Sequence, residues 1–195
     1  MLIALMGKSG SGKTLISALF KDLNPNIQII DVDKIGHMSH SDSHVKNKLR
    51  EYFGDEIFNL DDGGVNRKAL ASIVFRDKAK MQLLYDATYD FMVRQIDEKI
   101  SQSDIVILDY ALLPLTKYFA LSDVKILVEA SYEKRCERAQ QRDNITREKY
   151  DARDANSLDY MAYSFDYILE NNGDIEALRK EIGEIYDKSI VSRLV

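Results

Sequence analysis

The chain opens on an unbroken apolar run, Leu2-Ile3-Ala4-Leu5-Met6, and similar blocks return at Ile27 to Ile30, Ile105 to Leu108 and Val124 to Val128. A shorter one spans Tyr167 to Leu169. Near-continuous apolar blocks of this length suit strands covered on both faces, the pattern of a parallel sheet. Between them, helical periodicity runs over Thr14 to Leu23, His44 to Phe53, Arg67 to Arg76, Lys78 to Ile100, Tyr132 to Arg142, Arg147 to Ala155 and Ile175 to Lys188. Strand alternating with helix predicts an α/β fold, a doubly wound parallel sheet of about five strands flanked by helices.

Residues 31–104 separate the second and third blocks. A parallel crossover needs only about a dozen residues, so the stretch predicts a mostly helical insertion, placed at residues 36–100. The two prolines, Pro25 and Pro114, mark no linker, and there is no repeat. Residues 1–195 therefore read as a single domain with an excursion.

Composition narrows the function classes. The 195 residues carry 27 Lys and Arg against 32 Asp and Glu, a net charge of −5. Binding to a polyanion backbone runs on basic side chains displacing counterions, so nucleic acid is not an expected partner. A single cysteine, Cys136, precludes an intrachain disulfide and suits a reducing compartment, so a cytoplasmic location is expected. No stretch approaches the roughly 18 apolar residues of a membrane span, and the opening run reads as a buried strand rather than a leader. Oligomeric state is not readable.

Gly7-Lys8-Ser9-Gly10-Ser11-Gly12-Lys13-Thr14 matches the phosphate-loop pattern G-x-x-x-x-G-K-[ST] between an apolar strand and an amphipathic helix. Glycines let successive backbone amides curl around phosphate, and the free amides at the helix start favour the anion. Lys13 is placed to reach the outer phosphates, and the Thr14 hydroxyl to meet a Mg²⁺ ion. The motif predicts a P-loop NTPase and a nucleoside triphosphate, not a particular reaction.

Asp31-Val32-Asp33 follows the second apolar block. Ligands gather at the carboxyl ends of strands in open α/β sheets. An extended chain would send Asp31 and Asp33 to one side, one serving the metal's water shell and the other accepting a proton from an attacking hydroxyl. Either can instead cap the next helix. Asp109, after the third block, is a further carboxylate at that edge. No Asn-Lys-x-Asp guanine signature appears, and Asp61-Asp62-Gly63-Gly64 reads as a turn.

Arg135, Arg138 and Arg142 share one helical face. Arg135 reads as part of a solvated face balanced by Glu133 and Glu137. Arg138 and Arg142 lie nearer a break at Asp143-Asn144, within a lid region of residues 138–158, where arginine can fork onto phosphate. His37, His40 and His44 fall at similar spacing; they read as lining the insertion, with a metal site as the alternative.

The ordered set resembles the dephospho-coenzyme A kinases: the loop Gly7 to Thr14, Asp31-Val32-Asp33, Tyr52-Phe53-Gly54, Asn66-Arg67 with Leu70 and Val74-Phe75, Leu108-Asp109, Arg138, Gln141-Arg142-Asp143-Asn144 and Asn171-Asn172-Gly173. The resemblance implies transfer of the γ-phosphate of ATP, with Mg²⁺, to the ribose 3′-hydroxyl of dephospho-CoA. Asp33 would be the base, Lys13 and Arg142 would act on the transferred phosphate, and Thr14 would meet the metal. Gly7, Lys8, Ser9, Gly10, Ser11, Gly12, Arg138, Asn171 and Gly173 fall to ATP. Asp31, Asn66, Arg67, Phe75 and Asp109 fall to the acceptor side. The chain departs from the family pattern at Tyr85-Asp86, Ala111 and Leu158. A kinase of another small hydroxyl acceptor and a non-catalytic ATP-binding module are the alternative readings.

Overall fold

The structure, a computed structural model, describes residues 1–74 and 77–192. It divides into two compact units, Met1–Asp31 with Gln102–Val195, and Val32–Ser101. In the first, strands β1 (Leu2–Met6), β2 (Gln28–Asp31), β3 (Val106–Asp109), β4 (Val124–Glu129) and β5 (Tyr167–Glu170) form one sheet in the order β2-β3-β1-β4-β5. Every pairing is parallel. The chain leaves β1 toward one edge and later builds toward the other, so the carboxyl end of β1 is the point where connections diverge and a ligand crevice forms.

Burial explains why these blocks are strands. All five residues of β1 are buried, and Ile3, Leu5, Ile107, Ile126 and Val128 pack with Ile16, Leu19 and Phe20 of helix α1 (Lys13–Leu23) and with Leu178, Ile182 and Ile185 of a C-terminal helix. That core anchors the loop between β1 and α1. No helix of the described residues is long and apolar enough to cross a membrane.

The second unit is helical: α2 (Val32–Ser39), α3 (Ser43–Phe53), α4 (Arg67–Val74) and α5 (Lys78–Ser101). Its own core gathers Val45, Leu49, Phe53, Ile57, Leu70, Val74 and Ala87. Asp42 caps α3 by accepting from the Val45 amide at 3.0 Å, and Asn66 caps α4 by accepting from the Ala69 amide at 3.1 Å. Residues 61–64 form a turn in which the Gly64 amide donates to Asp62 and Phe58 bridges to Val65.

α2 corrects the sequence reading. An extended Asp31-Val32-Asp33 was expected, but the strand ends at Asp31 and a helix starts at Val32, whose side chain is buried. Asp33 thus sits in the first turn of a helix, where successive residues turn by about 100° rather than alternating. Asp31 and Asp33 therefore do not share the side of one strand. Beyond β3 the chain forms α6 (Lys117–Leu121), α7 (Tyr132–Asp143), α8 (Arg147–Ala155) and α9 (Ile175–Tyr186), which runs on as a wider turn over Asp187–Val191.

Candidate active site

Gly7 to Thr14 joins β1 to α1. Gly10 and Gly12 hold φ of 82° and 98°, a left-handed conformation that side chains resist. Space excludes a side chain as well: a Cβ on Gly10 would collide with the Arg135 carbonyl, and one on Gly12 with the Asn171 amide nitrogen. α1 starts at Gly12 with no side-chain cap, whereas α3, α4, α8 and α9 are capped by Asp42, Asn66, Thr146 and Asp174. Its first amides therefore remain donors for an anion. Lys13 Nζ donates to the Gly7 carbonyl at 3.1 Å and lies 3.9 Å from the Asp109 carboxylate. Thr14 is exposed at the helix start, and Ser11 Oγ is buried without a hydrogen-bond partner. Curled backbone, open amides, one lysine and one exposed hydroxyl fit a Mg²⁺-bound polyphosphate.

Two residues expected on the nucleotide side brace this loop. Asn171 is buried, and its Nδ2 donates to the Ser11 carbonyl at 2.9 Å. Arg138 Nη1 donates to the carbonyls of Asn171 at 3.1 Å and Gly10 at 3.4 Å. Gly173 follows in the turn before α9 with φ 125°, and its neighbour Asn172 accepts from the Ser131 amide at 2.9 Å. Beside the loop, Lys8, Arg135, Tyr160 and Asn172 help to line a cavity of about 380 Å³, within the usual size range of a small-ligand pocket.

The region 138–158, expected to form a lid, takes in the end of α7 and all of α8. α7 ends at Asn144, whose φ of 49° turns the chain into α8. Here Arg135 departs from expectation: it is 8% exposed, not solvated. Its Nε donates to Ala130 at 3.1 Å, and its Nη1 to the Tyr150 hydroxyl at 2.8 Å and to Asp154. Tyr150 donates onward to the Ser9 carbonyl at 3.2 Å. Burial pushes the Tyr150 phenol up to about 12, against the pull of Arg135.

Arg142 forks onto Asp143 at 2.7 and 2.9 Å, and its Nη2 is 3.4 Å from Ser9 Oγ. Arg153 donates to Asp143 as well and reaches Ser9 Oγ at 3.2 Å. The hydrogen bond from Arg142 outweighs burial and, with a lesser one from Arg153, holds the Asp143 carboxyl well below the usual range. Tyr150, Arg153 and Asp154 were not singled out from sequence. Their spacing of three and four residues on α8 puts them on one face, the only sequence signal they carry.

Carboxylates line the sheet edge. Asp31 and Asp109 are in register on neighbouring strands, so their side chains leave the same face. Tyr160, also missed, is buried and donates to the Ala111 carbonyl at 2.7 Å. Burial and the Asp109 charge raise its phenol to about 12, while a hydrogen bond from the Gly7 amide acts the other way.

In the helical unit Asp33 is exposed in the first turn of α2, Asn66 caps α4, and Arg67 is the exposed first residue of that helix. Phe75 lies outside the described residues. His40 Nδ1 is buried without a partner, and burial, then Arg67 and His37, lower its ring to about 4. No three of the described His, Cys, Asp and Glu residues are grouped to hold a metal.

The family model for dephospho-CoA kinase matches residues 1–177. The dephospho-CoA kinase of Aquifex aeolicus is 29% identical over 193 residues, covering 95% of this chain and 96% of that protein. The one from Lactobacillus johnsonii is 30% identical over 192 residues, covering 94% and 95%. Among solved structures, TT1252 from Thermus thermophilus superposes with a TM-score of 0.82 at 23% identity, covering 96% of this chain and 97% of that one. Shikimate kinase from Acinetobacter baumannii does so at 0.55 with 14% identity, covering 100% and 95%. The structural likenesses carry the fold: a parallel sheet with a phosphate loop after its first strand.

Proposed function

We propose that this chain, which belongs to the dephospho-CoA kinase family, transfers the γ-phosphate of ATP to the ribose 3′-hydroxyl of dephospho-CoA. The observation that carries the reading is the uncapped start of α1 behind two glycines with no room for a side chain, with Lys13 alongside. A loop so built holds the phosphates of a nucleotide in a fixed pose, which is most of what phosphoryl transfer requires.

In this reading the open amides of the loop and Lys13 take the phosphates of ATP. Thr14 would hold Mg²⁺, which would supply charge neutralisation to the phosphates. Asp31 and Asp109, in register at the carboxyl ends of β2 and β3, would serve the metal's water ligands or the acceptor. Asp33 accepts the proton of the 3′-hydroxyl while that oxygen bonds to phosphorus and the bond to the ADP oxygen breaks. Arg142 faces the transferred phosphate from the lid of residues 138–158, and Arg138 and Asn171 keep the loop in shape for it. The unit Val32–Ser101 serves the acceptor through Asn66 and Arg67, with Phe75 assigned there too.

The test is coupled ADP release. Purified protein with Mg²⁺ and ATP should release ADP on addition of dephospho-CoA and form CoA. Asp33→Asn should lower kcat by about 100-fold or more with ATP affinity little changed. Folded protein that shows no stimulation above background ATP hydrolysis would refute the reading. A panel of other hydroxyl acceptors then separates a different kinase from a binding module.

A further inference from the structure

We propose that Arg153 on α8 is a second phosphate-binding arginine, which acts with Arg142 on the terminal phosphate of the nucleotide held by the Gly7–Thr14 loop. The proposal rests on the transfer reading above and adds a catalytic residue to it. Two guanidinium groups from two helices converge on one loop oxygen: Arg153 Nη1 is 3.2 Å and Arg142 Nη2 3.4 Å from Ser9 Oγ. The same two groups share the carboxylate of Asp143, Arg142 through a fork and Arg153 through Nη1.

The remaining arginine of this network shows what a purely structural role looks like. Arg135 has a side chain 10% exposed and spends its donors on Ala130, Tyr150 and Asp154. Arg153 and Arg142 are 40% and 60% exposed, at the open rim of the loop.

Chemistry selects the ligand. A carboxylate shared by two guanidinium groups presents the same planar, doubly accepting oxygen pair that two phosphate oxygens present. Asp143 therefore holds both side chains beside the loop. In the transfer step Arg153 moves no proton. It neutralises charge on the phosphoryl oxygens as the bond to ADP breaks and the bond to the acceptor oxygen forms, and the hydroxyl proton passes to Asp33. The γ-phosphate is the assigned target because it is the group whose charge changes, so the contact must tell ATP from ADP.

Isothermal titration of the full chain with Mg·ATP and with Mg·ADP reads this directly. Arg153→Met should weaken ATP about 10-fold while ADP stays within about twofold, and should lower kcat with dephospho-CoA by about 100-fold. ATP and ADP weakened by the same factor, or ATP unchanged, would overturn the proposal, since a residue that only supports the loop cannot separate the two nucleotides. If Arg153→Met fails to fold by circular dichroism, Arg153→Lys keeps a cation beside Asp143 without the fork. It should show the same ATP-selective loss at smaller size, and a wild-type ATP-to-ADP ratio would overturn the proposal. If the wild-type protein did not phosphorylate dephospho-CoA, the transfer reading would fall and the nucleotide ratio would still decide the role of Arg153.

Discussion

Arg135 Nη1 donates to the Tyr150 hydroxyl at 2.8 Å, and that hydroxyl donates to the Ser9 carbonyl at 3.2 Å. The α7–α8 pair is thereby joined to the phosphate loop through one buried guanidinium. Because Asp154 accepts from the same nitrogen, removing the arginine takes the near cation from a partly buried carboxylate, leaving it stranded but for Lys8 at 4.0 Å, and takes the donor from a phenol that keeps only the Ser9 carbonyl. Arg135→Met should therefore destabilise the protein by about 2–3 kcal/mol in urea unfolding. Adding Asp154→Leu should restore part of the loss, because the stranded charge goes with it. A loss under about 1 kcal/mol would mean that solvent reaches and satisfies these groups.

Gly12→Ala forces a side chain into a left-handed φ and against the Asn171 amide. The strain alone is worth about 1–3 kcal/mol. Relief requires Asn171 to release the Ser11 carbonyl, which opens the loop. ADP affinity should fall at least about 10-fold, a shift of about 1.4 kcal/mol, in a titration run beside the wild type. Unchanged affinity would show that the loop tolerates a different curl.

His40 sets an acid limit for the helical unit. Its ring titrates near 4 when folded, below the ordinary 6.5, because it is partly buried and faces Arg67 and His37. The unfolded chain thus takes up the proton first as pH falls below about 6.5. Stability is complete above that pH and declines toward pH 4, by no more than about 2 kcal/mol once solvent screening is allowed for. Comparing urea midpoints at pH 7 and pH 5 checks this, and His40→Gln should flatten the difference by removing the titrating ring. An equal decline in the variant would assign the acid loss to other groups.

Tyr160→Phe keeps the ring, which meets Phe165 edge-on at 6.1 Å, and deletes the donor to the Ala111 carbonyl. A loss of about 1 kcal/mol is expected, seen as a melting temperature lower by about 2–4 °C. ADP should also bind more weakly, since the same hydroxyl meets the Gly7 amide at the start of the loop. A variant that melts and binds like the wild type would remove Tyr160 from the support of the site.

The first unit was largely legible because its signals are local. Leu2 to Met6 is apolar throughout since sheet and helices cover both faces, and the glycine pattern of residues 7 to 14 records a backbone shape that little else can adopt. Family likeness in the ordered motifs brought in Asp33, Arg142 and the acceptor. What stayed hidden depends on partners that periodicity does not name. Arg135 looked solvated because its own helix supplies glutamates, whereas Tyr150 and Asp154 arrive from α8 across the Asn144 turn. α2 was hidden by Gly36 and a polar tail, and its helix depends on burying Val32, Ile35 and Ser39. Arg153 carries no motif of its own, and only its contacts with Ser9 and Asp143 tie it to the loop.

The collision that a Cβ on Gly10 would make with the Arg135 carbonyl bears on how chains of this kind diverge. A bare backbone at position 10 is demanded by a neighbouring helix as well as by any phosphate. A descendant that lost catalysis altogether would still be barred from a bulkier residue there until α7 shifted. An intact glycine signature in a distant cousin is therefore weaker testimony to retained chemistry than the exposed arginines Arg142 and Arg153, whose places no such collision reserves.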